Sequence, residues 1–97
     1  MRLIFLLLFS TIINNLNAQD KVINGKVSDE NNEGLPGATI IIKGTTKGTV
    51  TDIEGNFQLD VDENDIIEIS FSGYEKQEIS VTGKNSFSIN LEPDVET

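Results

Sequence analysis

Two neighbouring stretches contain residue types that could bind a ligand. Residues 44–48, Gly-Thr-Thr-Lys-Gly, have the glycines and the lysine of a phosphate-binding loop. Residues 52–56, Asp-Ile-Glu-Gly-Asn, place oxygen-bearing side chains at alternate positions, as a calcium loop does at its start. Both stretches also fit simple reversals of the chain, because glycine adopts positive φ and aspartate accepts hydrogen bonds within its own turn.

Neither ligand-binding pattern is complete. A helix–loop–helix calcium loop that starts at Asp52 needs glycine at its sixth position, where this chain has Phe57. A phosphate loop opens a helix, and no helical pattern follows Gly48. We therefore expect no metal site and no cofactor site. The predicted structural turn motif consists of Gly44, Gly48, Asp52, Gly55 and Gly73.

The composition excludes most catalytic chemistry, since the chain has no histidine and no cysteine. A Ser-His-Asp arrangement, a thiol nucleophile and a zinc site with histidine or cysteine ligands are all absent. A Ser-Lys pair and a carboxylate pair remain formally open, but no motif supports either, and a chain of this size provides no deep cleft. We expect no catalytic residue and no enzyme activity.

Charge and aromatic content restrict the possible partners. The formal net charge of −9 repels nucleic acid, so we expect no nucleic-acid partner. Flat sugar faces are usually held by exposed aromatic rings, and this chain has no tryptophan and one tyrosine. The sequence places Phe57, Phe71 and Phe87 at core positions, so we expect no simple sugar ligand either.

The first residues are typical of a secretory signal peptide. Arg2 precedes an apolar run from Leu3 to Ile13, and a small residue, Ala18, stands before Gln19. We predict cleavage between Ala18 and Gln19. The apolar run is shorter than the roughly 20 residues that span a bilayer, so we expect no transmembrane span in the mature chain. The predicted organisation is a signal peptide over 1–18, one domain over 19–92, and the start of a linker over 93–97.

Apolar residues recur with period two through the predicted domain, and clusters of Gly, Asn and Asp separate the apolar runs. No segment has a helical repeat. The pattern predicts an all-β, seven-stranded antiparallel sandwich. The strands are expected near 21–28, 37–43, 48–52, 57–61, 66–72, 75–82 and 86–92. Segment Ala38–Lys43 is apolar on both faces, which favours contact with another protein.

Several segments occur in order with the spacing of one known family. They are Ile23–Asp29, Gly34–Ile40, Lys43–Thr45, Gly48–Asp52, Gly55–Phe57, Ser70-Phe71, Gly73-Tyr74, Gln77-Glu78 and Ile89–Glu92. The chain resembles the carboxypeptidase-regulatory-like domain, as found in the N-terminal extension of SusC-like TonB-dependent outer-membrane receptors of Bacteroidota. The resemblance implies a transthyretin-like, Ig-like sandwich without catalysis. Ser72 departs from the family pattern, which usually has an apolar residue before Gly-Tyr.

The resemblance also implies a function and a location. We expect an exported, periplasmic module that is associated with the outer membrane and contacts an outer-membrane receptor or the TonB system. Such a chain would be a truncated or stand-alone relative of a receptor, or a piece of a receptor. Two alternatives stay open: a secreted ligand-binding sandwich, and a structural appendage of an exported peptidase.

Overall fold

The computed structural model describes residues 20–95, which form seven strands and no helix. The predicted signal peptide and its cleavage point at Ala18 and Gln19 lie outside the described residues. The strands are β1 (Asp20–Ser28), β2 (Thr39–Ile42), β3 (Gly48–Val50), β4 (Asn56–Asp62), β5 (Ile66–Ser70), β6 (Gln77–Ser80) and β7 (Ser86–Asn90). The all-β prediction is confirmed, and each predicted strand has a counterpart.

The strands form a three-stranded sheet in the order β4–β1–β7 and a four-stranded sheet in the order β3–β2–β5–β6. One part of the fold prediction is wrong, because β1 and β7 are parallel, with Gly25 opposite Phe87 and Ser28 opposite Asn90. Every other strand pair is antiparallel. Period-two patterning identifies the face that a strand buries and contains no information about the strand's direction.

The core lies between the two sheets and contains the inward-facing residues of the strands. Strand β4 shows the principle, because Phe57, Leu59 and Val61 are buried and the residues between them are exposed. Fifteen buried apolar residues form a single cluster: Ile23, Val27, Leu35, Ala38, Ile40, Ile42, Phe57, Leu59, Val61, Ile67, Ile69, Val81, Phe87, Ile89 and Leu91.

Three residues refine the sequence expectations. Phe71, predicted as a core residue, is only partly buried, and its ring lies 5.9 Å from the ring of Tyr74 at the edge of the core. Ile41 points away from the core and is half-buried on the outer face of the four-stranded sheet. Backbone pairing also extends past residue 92, because the Asp94 N–H donates to the Gly73 carbonyl over 2.9 Å.

Candidate functional site

The turn between β3 and β4 lies against the loop that follows β1. The Val27 N–H donates to the Gly55 carbonyl over 2.8 Å, and the Leu35 N–H donates to the Val27 carbonyl over 2.9 Å. Gly55 has a φ of 87°, and a Cβ at this position would lie 2.5 Å from the Val27 oxygen and 2.9 Å from the Gly34 Cα. We call Val27, Gly34, Leu35 and Gly55 the glycine crossing, since its packing leaves no room for a side chain at Gly55.

Asp52 shapes the turn that carries Gly55. One of its carboxylate oxygens, Oδ1, accepts the backbone N–H groups of Glu54 and Asn56, each over 2.9 Å. Its backbone carbonyl accepts the Gly55 N–H over the same distance. Among the residues that the structure describes, no group of three acidic, histidine or cysteine side chains could hold a metal ion. The two hydrogen bonds that the Asp52 carboxylate accepts lie within its own turn.

Thr51 connects the same region to the start of β2, and the sequence reasoning missed it. Its buried hydroxyl accepts the Ala38 N–H over 2.8 Å and donates to the Leu35 carbonyl. Thr51 lies two residues after Thr49, which pairs with the buried Ile40, so both residues face inward. The alternation within the predicted strand 48–52 could have identified this inward-facing hydroxyl. A buried hydroxyl needs such partners, because an unpaired polar group in the core is costly.

The five residues of the predicted turn motif do not form one site. Asp52 and Gly55 share a turn, and Gly48 lies nearby in β3, where its missing side chain allows close contact with Ile40 and Ile41. Gly44 and Gly73 have positive φ values of 85° and 88° in separate turns, with open space where a Cβ would lie.

A second cluster, also missed by the sequence reasoning, lies at the other end of β1. The Lys21 ammonium donates to the carbonyls of Val81 and Lys84 over 2.7 and 2.8 Å and lies 2.9 Å from the Glu63 carboxylate. Glu63 also accepts the Gly83 N–H over 2.7 Å. The hydrogen bond from Lys21, followed by that from Gly83, holds the pKa of Glu63 below its ordinary value. We call these residues the Lys21 cluster.

The outer faces of the two sheets differ in chemistry. The three-stranded sheet presents Asn24 beside Gln58 on β4 and Ser86 on β7, together with the exposed Val22. The four-stranded sheet presents Ile41 and Ile66 beside two ion pairs. In these pairs Lys43 lies 3.0 Å from Glu78, and Lys76 lies 3.8 Å from Glu68.

Two open grooves border strand β3. The larger has a volume of about 690 Å³ and extends over the polar face of the three-stranded sheet, and the smaller has a volume of about 300 Å³. Both are lined by Thr49 and Gln58, so they form a continuous depression between β3 and β4. We call this depression the β3 trench. Its lining combines amides, hydroxyls and a few charges with apolar side chains, including the exposed Val22 and Val50, so it can bind an extended ligand.

The sequence model for the CarboxypepD_reg-like domain matches residues 23–97. The TonB-dependent receptor SusC of Bacteroides thetaiotaomicron is 43% identical over 81% of this chain. The TonB-dependent receptor P3 of Formosa agariphila is 39% identical over 93% of the chain. The chain spans only 8% and 9% of the length of these two relatives. Within residues 20–95, no helix is long and apolar enough to cross a membrane.

Similar folds occur in two crystal structures of mutant type II cohesin–X-dockerin complexes from Acetivibrio cellulolyticus. One chain superposes with a TM-score of 0.59 at 27% identity, over 73% of this chain and 56% of its own length. The other superposes with a TM-score of 0.62 at 24% identity, over 75% of this chain and 58% of its own length. At such identity the second likeness shows the fold alone.

Proposed function

Because the chain belongs to the CarboxypepD_reg-like domain family, we propose that it is a non-catalytic accessory module of the bacterial outer membrane. In this role it is exported and periplasmic. It binds protein and contacts an outer-membrane receptor or the TonB system. The single observation that carries the proposal is the similarity to TonB-dependent receptors, at 39–43% identity over most of this chain.

The geometry supports a binding role. Among the described residues, the Asp52 carboxylate and the buried Thr51 hydroxyl both form hydrogen bonds with backbone groups. The surface that remains consists of strand edges and two sheet faces of different chemistry. Such edges and faces are suited to contact with other proteins. We expect contacts that bury less than about 1,200 Å², which is typical of weak association.

In-cell photo-crosslinking tests the proposal. The full chain is expressed with its own leader in a bacterium that has TonB-dependent receptors, and a photoreactive amino acid replaces one exposed residue at a time. Ser88 samples the face of the three-stranded sheet and Ser80 samples the face of the four-stranded sheet. We expect a cross-link to an outer-membrane receptor or to a TonB component from at least one face.

The larger of the two grooves favours a second candidate, a secreted ligand-binding sandwich, because its amides and hydroxyls could bind a small polar molecule. A glycan array separates the two candidates. Saturable glycan binding by a chain that cross-links to no envelope protein would favour the second candidate and contradict the first.

Export is tested separately by mass spectrometry of the chain recovered from the cell envelope. The proposed cleavage after Ala18 predicts an N-terminus at Gln19, because a small residue precedes the predicted cleavage point. Recovery of the intact chain from Met1 in the periplasmic fraction would contradict the cleavage and leave the cross-linking result to decide the function.

A further inference from the structure

Strand β4 has an unpaired backbone edge. In an antiparallel pair, alternate residues direct their N–H and C=O groups toward the partner strand. The bond from the Val27 N–H to the Gly55 carbonyl fixes which residues these are. The backbone N–H and C=O groups of Leu59 and the other odd-numbered residues of β4 point toward β1. Those of Gln58 and Asp60 point away from β1.

The ends of this edge are already occupied. The Asn56 N–H donates to the Asp52 carboxylate over 2.9 Å, and the Asp62 N–H donates to the Asp65 carboxylate over 2.8 Å. The Asn56 and Asp62 carbonyls accept the N–H groups of the same two aspartates. The flanking turns thus close both ends, and the open part of the edge is limited to the two residues between them.

Strand β3 has a matching edge on the other side of the β3 trench. Two hydrogen bonds fix the alternation: the Thr51 N–H donates to the Ala38 carbonyl, and the Ile42 N–H donates to the Lys47 carbonyl. The backbone groups of the odd-numbered residues of β3 therefore point toward β2. By the same alternation, Gly48 and Val50 direct their backbone groups into the trench. None of these outward-facing groups has a hydrogen-bond partner among residues 20–95.

The three residues of the β3 edge include neither a charged side chain nor a proline. Natural edges are blunted by charged side chains or proline. The β6 edge has Glu78, which pairs with Lys43. The β3 edge instead presents Gly48 and a 59% exposed Val50, and Ile53 in the next turn is 81% exposed. Edge groups that are left open beside exposed apolar side chains are suited to pairing with an added strand.

Charge selects the kind of segment that fits. The residues that line the two grooves include two cations, Lys26 and Lys47, and two anions, Asp52 and Asp60. The trench is therefore locally balanced, although the whole chain has a net charge of −9. Any charged segment meets like charges in the trench, because cations and anions both line it, whereas a segment without charge meets none.

We infer that the β3 trench binds an extended, uncharged segment of a partner protein as an added β-strand. The backbone of this segment pairs with Gly48 and Val50, and its apolar side chains cover Val50. The inference rests on the proposed role as a protein-binding module and names the surface that it uses. A second copy of the chain fits less well, because two copies that each have a net charge of −9 repel each other.

Amide hydrogen exchange on the full chain provides the direct test. The probe is an uncharged heptapeptide that alternates valine and threonine, with an acetylated N-terminus and an amidated C-terminus. In the free protein the amides of Gly48, Val50, Gln58 and Asp60 should exchange fast, and the Leu59 amide slowly. Saturation with the probe should slow exchange at Gly48 and Val50 by about tenfold or more. Unchanged exchange at both residues would overturn the inference.

N-methylated probes test the edge pairing without altering the protein. Methylation of the probe amides on the edge that faces β3 removes donors and blocks approach, so binding should weaken by about tenfold or more. Methylation of the alternate amides on the opposite edge of the probe should change the affinity by less than about threefold. Equal effects of the two methylation patterns would overturn strand pairing.

Variants of β3 locate the site on the protein. Val50→Pro removes an N–H that points away from β2, so the internal ladder is kept while pairing with the probe is blocked. Val50→Thr keeps the N–H and should bind within about threefold of the wild type. Ile66→Lys, on the same outer face but away from the trench, is the control for the surface. If Val50→Pro is unfolded by circular dichroism, the N-methylated probes decide.

Two further outcomes separate this inference from the proposed function. Protection of the β3 edge by the probe without any envelope cross-link would support the trench and contradict the receptor-linked role. Cross-linking that persists in Val50→Pro, together with no protection by the probe, would support the role and overturn the trench. A dimer of the chain that Val50→Pro dissociates would assign the edge to a second copy and also overturn the inference.

Discussion

The glycine crossing and the Lys21 cluster join loops to strands at opposite ends of β1, and they do so by different means. The crossing uses backbone hydrogen bonds such as Val27 N–H to the Gly55 carbonyl, in a space too small for a Cβ. The Lys21 cluster uses a charged side chain that reaches the turn after β6. An added side chain should therefore disrupt the glycine crossing through steric overlap, whereas the stability that the Lys21 cluster contributes should change with pH and salt.

This difference predicts where substitutions are costly. Backbone bonds in a tight crossing depend on geometry that hardly changes with solvent conditions. The ammonium–carboxylate contact of Lys21 and Glu63 depends on both groups being charged, and Glu63 is partly exposed, so water and salt weaken it. The glycine crossing should contribute more to the free energy of unfolding than the Lys21 cluster does. The contribution of the Lys21 cluster should vary with pH and salt.

The largest expected effect is at Gly55. Gly55→Ala combines the strain of positive φ with overlap between the new Cβ and the Val27 carbonyl. We expect a loss of about 3 kcal/mol in the free energy of unfolding, or failure to fold. Gly44→Ala is the matched control, because Gly44 has a similar φ with open space around it. It should lose only about 1 kcal/mol, as measured by urea unfolding.

A similar loss in both glycine variants would show that positive φ alone accounts for the effect. The close approach at the crossing would then have no separate energetic role, and the contrast with the Lys21 cluster would lose its steric basis.

The next effect is at Thr51, beside the crossing. Thr51→Val keeps the shape of the side chain but removes the acceptor of the Ala38 N–H and the donor to the Leu35 carbonyl. We expect a loss of about 2 kcal/mol, because a buried N–H is left unpaired. Thr39→Val, on the half-buried outer face of β2, should change stability by less than about 0.5 kcal/mol. Chemical denaturation of both variants is the measurement, and equal stabilities would contradict a stabilising role for the hydrogen bonds of Thr51.

A smaller, pH-dependent effect is expected in the Lys21 cluster. The pKa of Glu63 is lowered in the folded state, first by the hydrogen bond from Lys21. Its contribution is therefore present above the ordinary pKa of 4.5 and is lost as the pH falls through the lower folded value. Glu63→Gln should lower the melting temperature at pH 7 and have little effect at pH 2.5. Glu54→Gln, in the turn of the crossing, is the control.

The comparison must be made between variants, because Asp62 acts in the opposite direction. A hydrogen bond with Asp20, followed by partial desolvation, raises the pKa of Asp62 above its ordinary value of 3.8. The folded state thus gains stability relative to the unfolded state as the pH falls through this raised value. A Glu63→Gln effect that is the same at pH 7 and at pH 2.5 would contradict the ion-pair role.

The two regions also differ in how far the sequence predicts them. The Asp52–Gly55 turn was predictable as a turn because its hydrogen bonds connect residues within four positions. The Lys21–Glu63 contact was not, because it depends on the antiparallel pairing that brings the start of β1 beside the end of β4. Charged residues have many equivalent surface positions, and only the folded chain selects one partner.

The same distinction applies to the fold. Alternation along β4 and β7 predicted their buried faces, since the period of a strand is a local property. The parallel pairing of β1 and β7 depends on the path of the chain between the sheets, which no local pattern describes. The open edges of Gly48 and Gln58 likewise follow from the hydrogen-bond register, which only the assembled ladders determine.

The smallest expected effect tests whether Asp52 serves only the turn. Its Oδ1 already accepts two backbone N–H groups, which an isolated cation would have to displace. Millimolar calcium should therefore leave the melting temperature of the full chain unchanged. Asp52→Ala removes the acceptor and should cost about 1 kcal/mol, whereas Asp52→Asn keeps an oxygen and should cost less. A calcium-dependent rise in melting temperature that disappears in Asp52→Asn would instead assign this turn to metal binding, because loss of the charge would then matter more than loss of the acceptor.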